Sequence, residues 1–185
     1  TGNGSVDIDV SCTGEGSGHM SITIDAEGAA TTGDFTVKIV FDNVCDSEKN
    51  CVDGAMNFKM SFSNLPSKIG CIRAANCDVS NAKGQIVFAM VMRVTEGGTT
   101  FDVKQGLRLL VDAQKAVVSV EALVWLKDEA GTEISVVLAL EANAKNESAS
   151  FSVKGANGTF SCTSNDLGKT GECKGTGVAP STFTW

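Results

Sequence analysis

The feature that most constrains this chain is an alternation of apolar and polar residues that returns in one segment after another. Val6, Ile8, Val10 and Cys12 alternate with Asp7, Asp9 and Ser11; Met20, Ile22 and Ile24 alternate with Ser21 and Thr23. Phe35, Val37, Ile39 and Phe41 follow the same rule, as do Met56, Phe58, Met60 and Phe62. A period of two is the mark of a strand with one face turned to a core and one to water. Longer segments continue it over 85–94, 100–111, 116–127, 133–142, 148–154 and 158–162.

Turn chemistry separates these segments: Glu96-Gly97-Gly98, Asp112-Ala113-Gln114, Asp128 to Gly131, Asn143 to Asn146, and Gly155-Ala156-Asn157-Gly158. Glycine supplies positive φ, and Asp and Asn bond to the backbone just beyond them, so each cluster reads as a hairpin connection. The intervals are too short for crossover helices, which excludes parallel βαβ units. The pattern predicts an all-β protein, an antiparallel meander of about ten strands forming a β-sandwich or flattened barrel. Only Pro66 to Ser80 lacks alternation, with room for one helical turn. At 185 residues and 42% hydrophobic content the chain fits one domain over residues 5–185, preceded by a flexible lead-in at 1–4.

Three segments are apolar on both faces. Ile86 to Met92 has no polar position; Val117, Leu123 and Trp125 sit opposite the Val118, Val120, Val124 and Leu126 face; Val137 and Ala139 oppose Ile134, Val136, Leu138 and Leu140. Such strands need cover on both sides. A central position in a sandwich supplies it, and the functional reading is a partner surface at Val117, Leu123 and Trp125. A second reading is an apolar ligand cavity lined by Phe58, Met60, Phe88, Met90, Met92 and Leu109, since methionine-rich faces adapt to ligands.

Seven cysteines point to an oxidising compartment and disulfide staples. Cys45 with Cys51 and Cys71 with Cys77 share one short spacing, and Cys162 can join Cys173, leaving Cys12 as a buried thiol. The matching tripeptides Ser11-Cys12-Thr13 and Ser161-Cys162-Thr163 allow the alternative pairing of Cys12 with Cys162. A zinc site from Cys45, Cys51, Cys71 and Cys77 is the rival reading, although metal knuckles prefer about two to four intervening residues.

The excess of 22 acidic over 15 basic residues gives a net charge of −7, which repels nucleic acid and anionic lipid. The longest apolar run, Ile86 to Met92, is far short of a spanning helix. His19 is the only histidine and stands without an acid or nucleophile at motif spacing, so no enzyme and no cofactor is expected. Asp46, Glu48, Asn50 and Asp53 space oxygen atoms as a calcium loop does, but no glycine follows Asn50 and Asn57 stands where a closing glutamate belongs; an acidic hairpin loop is the other reading. Asn3, Asn146 and Asn157 each begin an Asn-x-Ser/Thr triplet.

The motifs Gly4-Ser5-Val6 with Ser11-Cys12-Thr13-Gly14, Gly33-Asp34-Phe35-Thr36-Val37 leading to Phe41-Asp42-Asn43 and Cys45, and Asp53-Gly54-Ala55-Met56-Asn57-Phe58 resemble uncharacterised secreted or lipid-anchored bacterial β proteins. The resemblance covers residues 4–62. It implies a cell-envelope location, no activity, and a pairing of Cys12 with Cys45. The expectation is therefore a non-enzymatic extracellular, cell-surface or periplasmic protein with a structural, adhesive or assembly role, whose partner is another protein or itself. The alternative is a carrier of a small apolar ligand or lipid. An outer-membrane barrel comes third, because a chain without tyrosine lacks the usual aromatic girdle.

Overall fold

A computed structural model describes residues 4–9, 17–26, 33–64, 80–177 and 182–184. Twelve strands are ordered along the chain: β1 (Gly4–Asp9), β2 (Ser17–Asp25), β3 (Phe35–Cys45), β4 (Cys51–Ser63), β5 (Lys83–Glu96), β6 (Thr99–Asp112), β7 (Val117–Asp128), β8 (Glu133–Asn143), β9 (Ser148–Gly155), β10 (Gly158–Ser164), β11 (Glu172–Gly177) and β12 (Thr182–Thr184). Each pairs antiparallel with its sequence neighbours, and all twelve form one sheet in the order β1 to β12. The all-β antiparallel meander is thus as the alternation predicts. The helical turn expected near 66–80 lies outside the described residues but for Ser80.

Among the described residues the sheet neither doubles over as a sandwich nor closes as a flattened barrel. Contacts between their elements run only from each strand to the next, and no ladder among them joins β12 back to β1. Closing a barrel needs that last ladder, and β12 offers only three residues to one neighbour. The most extensive ladders are in the middle: β4 pairs with β5 over Cys51–Ser63, and β5 with β6 over Lys83–Glu96.

The turns follow from their residues. Gly97 and Gly98, at φ 57 and 81, make the two-residue turn between β5 and β6, a geometry that needs positive φ at both positions. Elsewhere a side-chain oxygen closes the loop. Asp46 Oδ1 accepts from the backbone N–H groups of Glu48 and Asn50, Asp128 Oδ1 from Thr132, and Asn143 Oδ1 from Lys145 and Asn146. The β3–β4 ladder is interrupted between Phe41 and Val44. At that bulge Gly54 takes φ +139 on β4, and a Cβ there would lie 2.2 Å from the Val91 carbonyl oxygen.

Candidate interaction surface

Because paired residues of antiparallel strands share a face, the register sorts every side chain. One row runs Val37, Phe58, Phe88, Leu107, Ala122, Leu138 and Val153 across β3 to β9. Beside it run Phe35, Met60, Ile86, Leu109, Val120, Leu140 and Phe151, and on the other side Ile39, Met56, Met90, Gln105, Val124 and Val136. From β3 to β9 this face carries no charge except Glu96 and Asp128 at strand ends next to turns, and between the strand ends Gln105 is its one polar side chain.

That face is not covered over β6, β7 and β8. Phe101 is 37% exposed, Leu107 41%, Val124 41%, Leu138 38%, Leu140 43% and Ile134 58%. Among the described residues Cys173 is the one apolar residue that is buried, at 2%. An apolar face that spans adjacent strands and stays this exposed is a surface waiting for cover.

The opposite face is polar and laced with cross-strand pairs. Arg93 meets Asp102 at 2.9 Å, Arg108 meets Glu121 at 3.4 Å, and Lys83 meets Asp112 at 3.3 Å, each between register partners. The Arg93 hydrogen bond holds the Asp102 carboxyl below the usual carboxylate range, and Asp102 in turn raises the guanidinium. Asp112 is only 7% exposed. Burial acts to raise its pKa, but the Lys115 backbone N–H and the Lys83 ammonium outweigh that and lower it. The exposed Arg93–Asp102 and Arg108–Glu121 pairs add little stability but keep this face wet.

The expected partner surface falls on that polar face. Val117, Leu123 and Trp125 share that face of β7, with Ser119 and Glu121 between the first two. Lys104 stacks 4.2 Å from the Trp125 ring centroid, and the indole N–H donates to Glu133, so the ring is occupied from one side and tied down. Leu123 keeps 37% exposure beside Val137 at 40%, a small apolar island among charges. The larger surface, on β6 to β8 of the other face, was readable from the same alternation but looked like ordinary core.

Phe58, Met60, Phe88, Met90, Met92 and Leu109, expected to line a cavity, are brought together on the apolar face of β4, β5 and β6. All six are half-buried, and among the described residues they belong to a single layer, a wall with no second described layer over it. A groove of about 200 Å³ with apolar walls opens at the end of these strands, between Phe62, Ala82, Gly84, Ile86, Leu109 and Val111.

Two staples are in place. Cys45 bonds Cys51 across the β3–β4 hairpin, and Cys162 bonds Cys173 across β10 and β11. These overturn the pairings of Cys12 with Cys162 and of Cys12 with Cys45, and a zinc site using Cys45 and Cys51 as thiolates. In both bonds the two cysteines are direct register partners, which is why they reach each other. Cys12, Cys71 and Cys77 lie outside the described residues.

The calcium reading of the β3–β4 loop is not what its oxygens do. Asp46 accepts from the Asn50 side-chain amide as well as from two backbone N–H groups, which lowers its pKa. Asn50 Oδ1 accepts from the Gly97 N–H of the next turn. Asp53 has left the loop for β4, opposite Arg93, and Glu48 remains exposed. This is an acidic hairpin loop, and among the described residues no three His, Cys, Asp or Glu side chains gather as metal ligands. Asn146 and Asn157 stand exposed in turns; Asn3 lies outside the described residues.

No family model, no curated protein and no solved structure matches this chain.

Proposed function

We propose that this chain is a non-enzymatic protein of an extracellular, cell-surface or periplasmic compartment, and that it works in an assembly by docking its apolar face against a protein partner. The observation that carries this is the apolar face over β6 to β8, uncharged between its strand ends, on which nine side chains stand between 36% exposed at Leu126 and 58% at Ile134. Covering nine such side chains there would stabilise a complex by on the order of 10 kcal/mol before the costs of association. The disulfides fit a non-reducing compartment. The sequence resemblance implies the same location.

A second reading, a carrier of a small apolar ligand or lipid, is favoured by the apolar groove beside Ile86 and Leu109. Native mass spectrometry of freshly purified protein separates the two. A protein complex that is lost in a Leu138→Lys variant supports assembly. A lipid-sized adduct on a single chain, retained in that variant and lost in Leu109→Lys, replaces it with the carrier.

A bilayer suits this sheet poorly. Strands β10, β11 and β12 have 7, 6 and 3 residues, short of the roughly 9–11 that cross a membrane. An open edge also leaves backbone groups that hydrocarbon cannot satisfy.

A further inference from the structure

We infer that Asn157 is a site of spontaneous covalent change: its side-chain amide closes onto the Gly158 backbone nitrogen, and the product loosens the β10–β11 end of the sheet.

Ala156 and Asn157 are the two residues of the β9–β10 turn, because Gly155 and Gly158 are partners at the first rung of that ladder. Asn157 is exposed to water. An asparagine side chain reaches the next backbone nitrogen most easily when the residue that carries it has no Cβ to stand in the way.

At position 158 the fold admits nothing but glycine. Gly158 takes φ +152, and its register partner on β11, Gly177, takes φ +109. A Cβ on Gly158 would collide with the Thr176 carbonyl oxygen, and one on Gly177 with the carbonyl oxygen of Asn157. Two backbones approach here more closely than any side chain permits. The residue that makes Asn157 reactive is therefore one that the sheet cannot exchange.

The step balances with water as its one co-reactant. The Gly158 nitrogen gives its proton to water and attacks Asn157 Cγ. The new N–Cγ bond forms as the bond from Cγ to the amide nitrogen breaks, and ammonia leaves with the proton. A five-membered imide remains, and a second water opens it at one of its two carbonyls. Opening at Cγ leaves aspartate. Opening at the main-chain carbonyl leaves isoaspartate, whose backbone runs through Cβ and Cγ and is longer by one atom. Nothing is oxidised or reduced.

Reaction and effect both belong to the thin end of the sheet. Attack on Asn157 Cγ needs the Gly155–Gly158 rung to open. Strands of 7, 6 and 3 residues, β10 to β12, open more readily than the 14-residue β5 and β6. The Cys162–Cys173 bond stands toward the other end of the β10–β11 ladder and does not staple the turn. The extra backbone atom of isoaspartate then falls against Thr176 and Gly177, where not even a Cβ fits.

The test is peptide mapping by mass spectrometry of the full-length, disulfide-intact chain as it ages at neutral pH, with amide exchange on the fresh and the aged protein. The native mass at Asn157 should be lost as NH2 is exchanged for OH, while Asn143 and Asn146 in the β8–β9 turn keep theirs. Enzymatic methylation of the isoaspartate carboxylate should mark the same peptide. Amide exchange should rise on β10 and β11 and stay slow on β5 to β7. Asn157→Gln should abolish the change, since glutamine must close a larger ring; Asn157→Ser replaces it if that variant does not fold. Asn157→Asp, measured fresh, carries the new charge without the extra atom and should exchange as fresh wild type does.

An Asn157 that keeps its mass while a synthetic peptide of residues 154–160 converts overturns the inference, because the fold would then hold the amide away from Gly158. Conversion with no faster exchange on β11, or equal loosening in Asn157→Asp, overturns the effect on the sheet.

Discussion

Phe58 and Phe88 stand directly opposite one another on β4 and β5, half-buried on a face that continues through Leu107 and Leu138 with no charge in its row. The pair marks where the sheet is best supported, at the long central ladders, and where its apolar surface begins to open toward β6. Truncating Phe88 to Ala should cost about 2 kcal/mol in urea unfolding, below the range for a fully enclosed phenylalanine, because the ring is only half-buried and no second sheet packs on it among the described residues. A loss near 5 kcal/mol would mean that Phe88 is enclosed by a second layer.

Gly54 and Gly97 both have positive φ but differ in what surrounds them. A Cβ at Gly54 meets the Val91 carbonyl at 2.2 Å, while nothing lies within 4 Å of one at Gly97. Gly97→Ala should therefore cost about 1 kcal/mol for its backbone conformation alone. Gly54→Ala must also push β5 away and should cost at least about 3 kcal/mol or prevent folding. Equal losses in thermal melts would show that the β3–β4 bulge is not held as described.

Cys162 and Cys173 tie β10 to β11 near the edge of the sheet, closing a loop with a sequence separation of 11. Replacing both by Ala should destabilise by about 2 to 3 kcal/mol in the chain-entropy model. Amide exchange should rise on β10 and β11 while that on β5 to β7 stays slow. Unchanged exchange at β11 would mean that its hydrogen bonds hold the edge without the staple.

Acid sensitivity should come from aspartates that are hydrogen-bonded when folded. Asp166 accepts from the Thr170 hydroxyl and backbone N–H and from the Ser164 hydroxyl, which depress its pKa strongly; Asp102 is depressed by Arg93. A folded pKa below the unfolded value means that the unfolded chain binds more protons as pH falls, so stability is full above about pH 4 and declines below it. Melting temperature should hold from neutral pH to about 4.5 and then drop, less steeply in Asp166→Asn. A melting temperature that falls between neutral pH and 5 would point to another group.

Alternation made the strands from β1 to β10 legible, along with the meander and the hairpin turns, because each side-chain face writes itself into the sequence at period two. β11 was not legible: Glu172-Cys173-Lys174-Gly175-Thr176-Gly177 has no apolar alternation, and β10 and the Cys162 bond hold it in place. Three-residue β12 is too short for any pattern. The number of layers was not legible either. Leu107, Leu138 and Leu140 would alternate identically beneath a second sheet or facing solvent, since the pattern records which face avoids water and not what covers it. Pairing both halves of a hairpin fixed Cys45 to Cys51, but the partner-surface expectation at Trp125 missed Lys104 and Glu133, which come from neighbouring strands.

The account depends most on the apolar face of β6 to β8 being uncovered in the single chain and covered in the assembly. Carbene footprinting across a dilution series reads this directly. Labelling of Leu107, Val124, Leu138 and Leu140 should rise as complexes dissociate, while Val91, 57% exposed on the polar face, labels alike throughout. Low labelling of those four residues at dilutions where light scattering finds only single chains would contradict it, because the chain itself would then be covering the face.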